Sequence, residues 1–138
     1  MSARLFLDSN VLLYACSGVG EDRRKKEVSE RLLSEQEATI SSQVLQEFIS
    51  NALRKPALGI SEQMIDVMLE LALEIEVVPV SHELIVKATG LRRRYQLSHW
   101  DSTILAAAME GDCAIIYSED FQHGQVFGGL RVVNPYLE

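Results

Sequence analysis

The chain has 138 residues and a mass of 15.5 kDa, with 47% apolar and 24% charged side chains. That balance belongs to a folded globular domain and not to a disordered chain. Thirteen basic and 20 acidic residues leave a formal net charge of −7, which argues against nucleic-acid binding by bulk charge, since phosphate contacts draw on Lys and Arg. The longest apolar runs, Val11–Cys16 and Ile104–Met109, reach six residues, far below the roughly 20 needed to span a bilayer, so no membrane association is expected. Cys16 and Cys113 show no CxxC or zinc-type spacing, and the opening MSARLFLDSN lacks the layout of a signal peptide. The expectation is one domain over residues 1–138, in a reducing cytoplasm.

Arg4–Leu7 reads as a short buried strand, and Asn10–Cys16 as an apolar stretch broken by Gly18 and Gly20. Asp22 fits the N-cap of a helix running to about Gln36, with Val28 and Leu32 on its inner face. Ala38–Ser41 is a second strand, followed by a helix capped by Ser42, with Val44, Leu45, Phe48, Ile49 and Ala52 at helical spacing. Pro56 and Gly59 end that helix. Ser61 opens a helix to Ile75. Val77–Val80 is a third strand, in which Pro79 suggests an edge position or an irregularity. Ser81 caps a helix ending in Arg92–Arg94, and Ser98 caps another closed by Gly111. Ala114–Ser118 and Leu130–Val133 supply strands four and five. Strands alternating with helices predict an α/β fold with a mostly parallel sheet covered on both faces, in which ligands bind at the carboxyl ends of the strands.

Four acids stand in apolar surroundings: Asp8 in LFLDSNVLLYA, Glu47 in SSQVLQEFIS, Asp101 in LSHWDSTILAAA and Asp120 in AIIYSEDF. A charge in such a place costs free energy unless it is paired or binds a metal. Asp8 and Asp120 follow strands one and four. Asp101 lies in a first helical turn, and the small Ala106, Ala107 and Ala108 let its helix approach the sheet. Each acid also has a purely local reading. Asp8 fits a turn cap through Asn10, Glu47 a solvent-facing helix border, Asp101 a capping box with Ser98, and Asp120 an Asx-turn before Phe121. Four acids at one edge would repel, and a hard divalent cation such as Mg²⁺ or Mn²⁺ suits oxygen ligands and offsets that repulsion. Phosphodiester hydrolysis is chemistry such an ion supports. The basic clusters Arg23–Lys26, Arg54-Lys55 and Arg92–Arg94 read as helix-end or solvated charges.

These segments together resemble the PIN-domain nucleases, in particular the ribonuclease toxins of VapBC-type toxin–antitoxin pairs. LDSNVLLYA matches the opening apolar-D-[ST]-N pattern. SSQVLQEF matches the segment carrying the family's glutamate, HWDSTILAAA the third motif, and YSEDF the terminal acidic motif. Ser9 stands where the family more often has threonine and keeps the hydroxyl. Because the last motif reads SED, Glu119 competes with Asp120 for the inward position. The resemblance implies a three-layer α/β/α sandwich around a central, mostly parallel sheet of about five strands. It further implies a Mg²⁺ or Mn²⁺ site made by Asp8, Glu47, Asp101 and Asp120, with Asn10 and Ser118 in hydrogen-bonding support. The implied activity is endoribonucleolytic cleavage of RNA leaving a 5′-phosphate and a 3′-hydroxyl. The implied partners are a cognate antitoxin, whose basic C-terminal segment reaches the acidic cleft, and a second copy of the chain.

Two rival readings accompany it. One is a catalytically silent PIN-like interaction module. The other is a receiver-like phospho-acceptor domain, which would need a lysine after a late strand where this chain reads LRVVNPYLE. A homodimer also follows from the residues themselves. Ile65, Val67, Met68, Leu69, Leu71, Leu73 and Ile75 leave the Ser61–Ile75 helix apolar on nearly all sides, and such a helix is usually buried on more than one.

Overall fold

The structure is a computed structural model and describes residues 3–17 and 23–137. Its sheet has six strands in the order β3-β2-β1-β4-β6-β5, with β1 Arg4–Leu7, β2 Ala38–Ser41, β3 Glu76–Val78, β4 Cys113–Tyr117, β5 Val126–Phe127 and β6 Leu130–Val133. All neighbours are parallel except the β5–β6 hairpin. Among the described residues six α-helices flank it: α1 Ser9–Cys16, α2 Arg23–Leu33, α3 Ser42–Arg54, α4 Glu62–Leu71, α5 His82–Tyr95 and α6 His99–Glu110. α1 packs on α2, α3 and α4, whereas α5 packs on α6 and α6 lies along β2, β3 and β4. The three-layer, mostly parallel α/β sandwich implied by the resemblance is the fold.

The chain steps outward from β1 to β2 to β3, then returns through α5 and α6 to β4 on the other side of β1. The strand order therefore reverses between β1 and β4. At such a point the loops leaving two adjacent carboxyl ends turn in opposite directions and open a crevice. Leu7 pairs with Tyr117 at the end of both strands, so Asp8 and Ser118 are the next residues on either side of that crevice. α6 runs back against the strand direction, which brings its first turn, with Asp101, to the same edge. Its alanines allow this packing: Ala106, Ala107 and Ala108 are buried. At its C-terminus, a Cβ on Gly111 would come within 3.2 Å of Thr39 Cγ2 and Val78 Cγ2. Phe6, Leu7, Ile40, Val44, Phe48, Leu105 and Ile116 form the fully buried centre of the core.

Several expectations are corrected. The apolar Asn10–Cys16 stretch is helix α1, capped by Asp8, whose side chain accepts from Ser9 N. Ser41, not Ser42, caps α3: its Oγ accepts from Val44 N, while Ser42 Oγ accepts from Val80 N across the sheet edge. α4 ends at Leu71, and Ala72–Glu74 form a 3₁₀ turn in place of a continuous helix to Ile75. α2 ends at Leu33, short of Gln36; its predicted cap, Asp22, lies outside the described residues. The sheet has six strands because Val126–Phe127 pairs antiparallel with Leu130 and Arg131 across the Gly128-Gly129 turn. Gly128 sits at φ 61°, a conformation that costs glycine little. Pro79 lies just past edge strand β3, and Ser61, Ser81 and Ser98 cap their helices as read.

Among the described residues, no helix is long and apolar enough to cross a membrane. Cys16 and Cys113 are free and buried. The basic run at the start of α2 is at the unfavourable end of its own helix, but it serves others. Lys26 Nζ donates to the Ala15 and Ser17 carbonyls at the end of α1, at 2.7 and 3.1 Å, where a cation offsets the negative end of the helix dipole.

Candidate active site

Asp8 is the centre of the crevice. Only 4% of the residue is exposed. One carboxylate oxygen accepts from Ser9 N at 2.7 Å and the other from Ser118 Oγ at 2.7 Å. Burial pushes its pKa up to about 7, because a carboxylate stripped of water loses solvation that two hydrogen bonds only partly replace. The negative charges of Asp120 and Glu47 push it in the same direction. Asp8 does cap the chain locally, through Ser9 N and not through Asn10, yet the same side chain is held in a buried, electronegative position. Ser118 joins two of the acids, since its Oγ also accepts from Asp120 N at 3.0 Å.

Asp120 lies nearer the surface, and its pKa is also raised. Burial is the main cause, followed by the charges of Glu119 and Asp101, against which the Lys55 ammonium works. Field effects thus link Asp8 to Asp120 and Glu47, and Asp120 to Asp101. Asp101 is half-buried, and its N–H donates to the Ser98 cap. Glu47 is half-buried on α3, and its Oε2 accepts from Gln43 Nε2 at 3.0 Å. Glu119 is drawn elsewhere: Tyr14 Oη donates to its Oε1 at 2.6 Å, and Lys25 Nζ stands 3.6 Å from its Oε2. Of the two neighbours in SED, Asp120 is therefore the acid coupled to Asp8.

Asn10, the predicted supporting residue, is 8% exposed, and neither its Oδ1 nor its Nδ2 has a protein partner. A buried amide with both ends unmatched is costly. The carboxylates are coupled but not gathered: among the described residues no group of three or more His, Cys, Asp or Glu could hold a metal ion as the side chains stand. The donor chemistry still fits a hard divalent ion, being all oxygen, partly desolvated and negatively charged.

Two contributors were not read from the sequence. Gln43 lies one helical turn before Glu47, a spacing at which side chains meet, so it was within reach of pattern reasoning. Lys55 follows the end of α3, and only the fold brings its charge to Asp120. Glu47 also lines a groove of about 770 Å³, together with Gln43, Gln46, Val80, Ile85 and Trp100.

No curated protein matches the sequence significantly. Solved structures share the fold. A toxin–antitoxin complex from Klebsiella pneumoniae superposes with a TM-score of 0.70 at 22% identity, covering 97% of this chain and 98% of that one. The VapC20 toxin of Mycobacterium tuberculosis, described as cleaving the sarcin–ricin loop, gives 0.66 at 18% identity, over 86% of this chain and 89% of that one. DNA-bound VapBC from Salmonella typhimurium gives 0.67 at 19%, over 95% and 97%. The sequence model of the PIN domain matches residues 5–126, which takes in all four acids; the chain belongs to the PIN-domain family.

Proposed function

We propose that the chain is a divalent-metal-dependent endoribonuclease and the toxin of a VapBC-type toxin–antitoxin pair. The observation that carries this reading is Asp8: a buried carboxylate at the strand-order reversal, pressed towards neutrality by burial and by two further acids. Such a group is a liability in a merely structural role and an asset where a cation is to be held. Structural neighbours described as toxins and toxin–antitoxin complexes support the biological setting, and family membership sets aside the receiver-like alternative.

Asp8 and Asp101 would be the principal ligands of Mg²⁺ or Mn²⁺, with Glu47 completing the shell or orienting water and Asp120 holding a further water or a second, substrate-borne ion. When bound, the ion supplies an activated water and neutralises charge building on the phosphate. Ser118 ties the Asp8 carboxylate to the segment that carries Asp120 through its two hydrogen bonds. Gln43 holds Glu47 by one oxygen, which restricts its rotamers before substrate arrives. Asn10 offers an unmatched donor and acceptor to the water shell or a phosphate oxygen. Lys55 brings the positive charge whose field reaches Asp120, and so can meet the RNA backbone despite the net charge of −7. In-line attack would leave a 5′-phosphate and a 3′-hydroxyl. The partners of this reading are an RNA substrate, a cognate antitoxin carrying a basic segment for the cleft, and a second copy of the chain, in the cytoplasm.

The test is incubation of end-labelled RNA with Mn²⁺ or Mg²⁺, with and without EDTA, and mapping of the product ends. Metal-dependent cuts bearing 5′-phosphates support the proposal. Intact RNA at every metal concentration would leave a silent PIN-like module as the reading.

A further inference from the structure

We propose that the groove between α3 and the first turn of α6 is a nucleobase subsite, in which one base of single-stranded RNA stacks on Trp100 and donates an N–H to Gln43 Oε1. This rests on the nuclease reading of the adjoining acids and names how the substrate is held beside them.

Trp100 is the chain's single tryptophan and is 64% exposed. Its neighbour His99 packs against it edge to face, with ring centroids 4.8 Å apart at 70°. That contact restricts the indole's rotation while leaving much of it open. A large, steadied aromatic surface in a groove is a stacking platform for any base, because every base has a π-face. At about 770 Å³ the groove lies within the roughly 300–1,000 Å³ of small-ligand sites.

Gln43 gives the second, independent observation. Only 8% of the residue is exposed. Its Nε2 uses both hydrogens, one on Glu47 Oε2 at 3.0 Å and one on the Trp100 carbonyl at 3.1 Å. The amide is thereby locked, since flipping it would lose both bonds. Its Oε1 has no partner and, as the side chains stand, is shut off from solvent, in a residue that lines the groove. A locked, buried acceptor without a partner is costly, and a base edge that parts the neighbouring side chains as it enters supplies the missing donor. The same amide touches the acid Glu47 and the backbone of Trp100. A base seated here is therefore coupled through one side chain to the group beside the scissile phosphate. Val80 and Ile85 line the groove beside Gln43, Gln46 and Ser50, so its walls offer a base both apolar surface and hydrogen-bonding groups.

Because no other tryptophan contributes, intrinsic fluorescence reads the subsite directly. Short single-stranded RNA titrated into the full-length protein in EDTA should quench Trp100 emission. In Mn²⁺, Trp100→Ala should raise the KM for RNA about ten-fold, an order of magnitude set by the stacking of one base, and by more than it lowers kcat. Trp100→Phe should restore most of the loss, and Gln43→Met should weaken RNA binding while keeping the quench. A merely structural role for Trp100 would instead lower kcat through misplaced acids, without rescue by phenylalanine, and would overturn the proposal. Unchanged emission with RNA that the wild type cleaves would overturn the subsite and leave the nuclease reading standing. Failure to bind or cleave any RNA would overturn both. If RNA leaves emission unchanged and Trp100→Ala converts a dimer into a monomer, the groove is an interface between copies and the proposal falls.

Discussion

Replacing Asp8 with asparagine should make the metal-free protein more stable, and by an amount that grows with pH. Asparagine keeps the local geometry, since its Oδ1 can accept from Ser9 N and its Nδ2 can donate to Ser118 Oγ. In the wild type the Asp8 pKa rises from 3.8 to about 7 on folding. Between those values the folded chain holds a proton that the unfolded chain has released, so stability falls as pH rises. Above about pH 7 the folded carboxylate ionises too, and the full cost stands. Each pH unit in that window is worth about 1.4 kcal/mol, so the whole cost is about 4 kcal/mol. About 3 kcal/mol of it accrues between about pH 5 and about pH 8. Asparagine does not titrate, so the stability gap between mutant and wild type should widen by about that amount. Comparing the two pH values cancels any fixed difference in packing between the two side chains. Urea unfolding in EDTA at both values measures the gap. A gap that stays constant with pH, or closes as pH rises, would refute the assignment of Asp8 as a desolvated carboxylate.

Divalent metal should reverse that ranking. Mn²⁺ at about 100 times its Kd should stabilise the wild type by about 3 kcal/mol, a rise of several degrees in Tm, and leave Asp8→Asn almost unmoved; equal shifts in a thermal melt would contradict an Asp8-centred site. Asp120→Asn should lower RNA cleavage far more than Glu119→Gln, because Glu119 is occupied by Tyr14 and Lys25, and the opposite order in a cleavage assay would move the role to Glu119. On α4, Ile65 and Met68 face the core, while Val67 is 48%, Leu69 39%, Leu71 39% and, in the turn beyond, Leu73 84% exposed. That surface should self-associate, so sedimentation at micromolar concentration should give a dimer that Leu73→Glu weakens; a 15.5 kDa species alone would count against it.

Alternation of strand and helix, together with serine caps, made most of the fold legible. Ser61, Ser81 and Ser98 each precede a helix whose third residue donates to the serine hydroxyl, a local interaction that local sequence reports. α1 was not legible as a helix. Val11, Leu12, Leu13 and Cys16 are all buried, and a helix buried on most sides has no polar face to reveal its period. The choice between Ser41 and Ser42 depended on Val80, 38 residues away. β5 has two residues, too few for any alternation, and it exists by pairing with β6. At the site, the acids stood out because charge was placed among apolar residues. Their mutual coupling, the hold of Tyr14 and Lys25 on Glu119, the unmatched amide of Asn10 and the unmatched amide oxygen of Gln43 are tertiary facts that no local pattern carries.

The most direct test of the central claim is the rate at which purified wild type and Asp8→Asn cleave one labelled RNA in Mn²⁺, with the mutant shown by its unfolding curve to be folded. The account predicts metal-dependent cleavage by the wild type and a loss of about 100-fold or more in the mutant, on the scale of removing one group that stabilises charge in the transition state. Cleavage by a folded Asp8→Asn protein at the wild-type rate would contradict it.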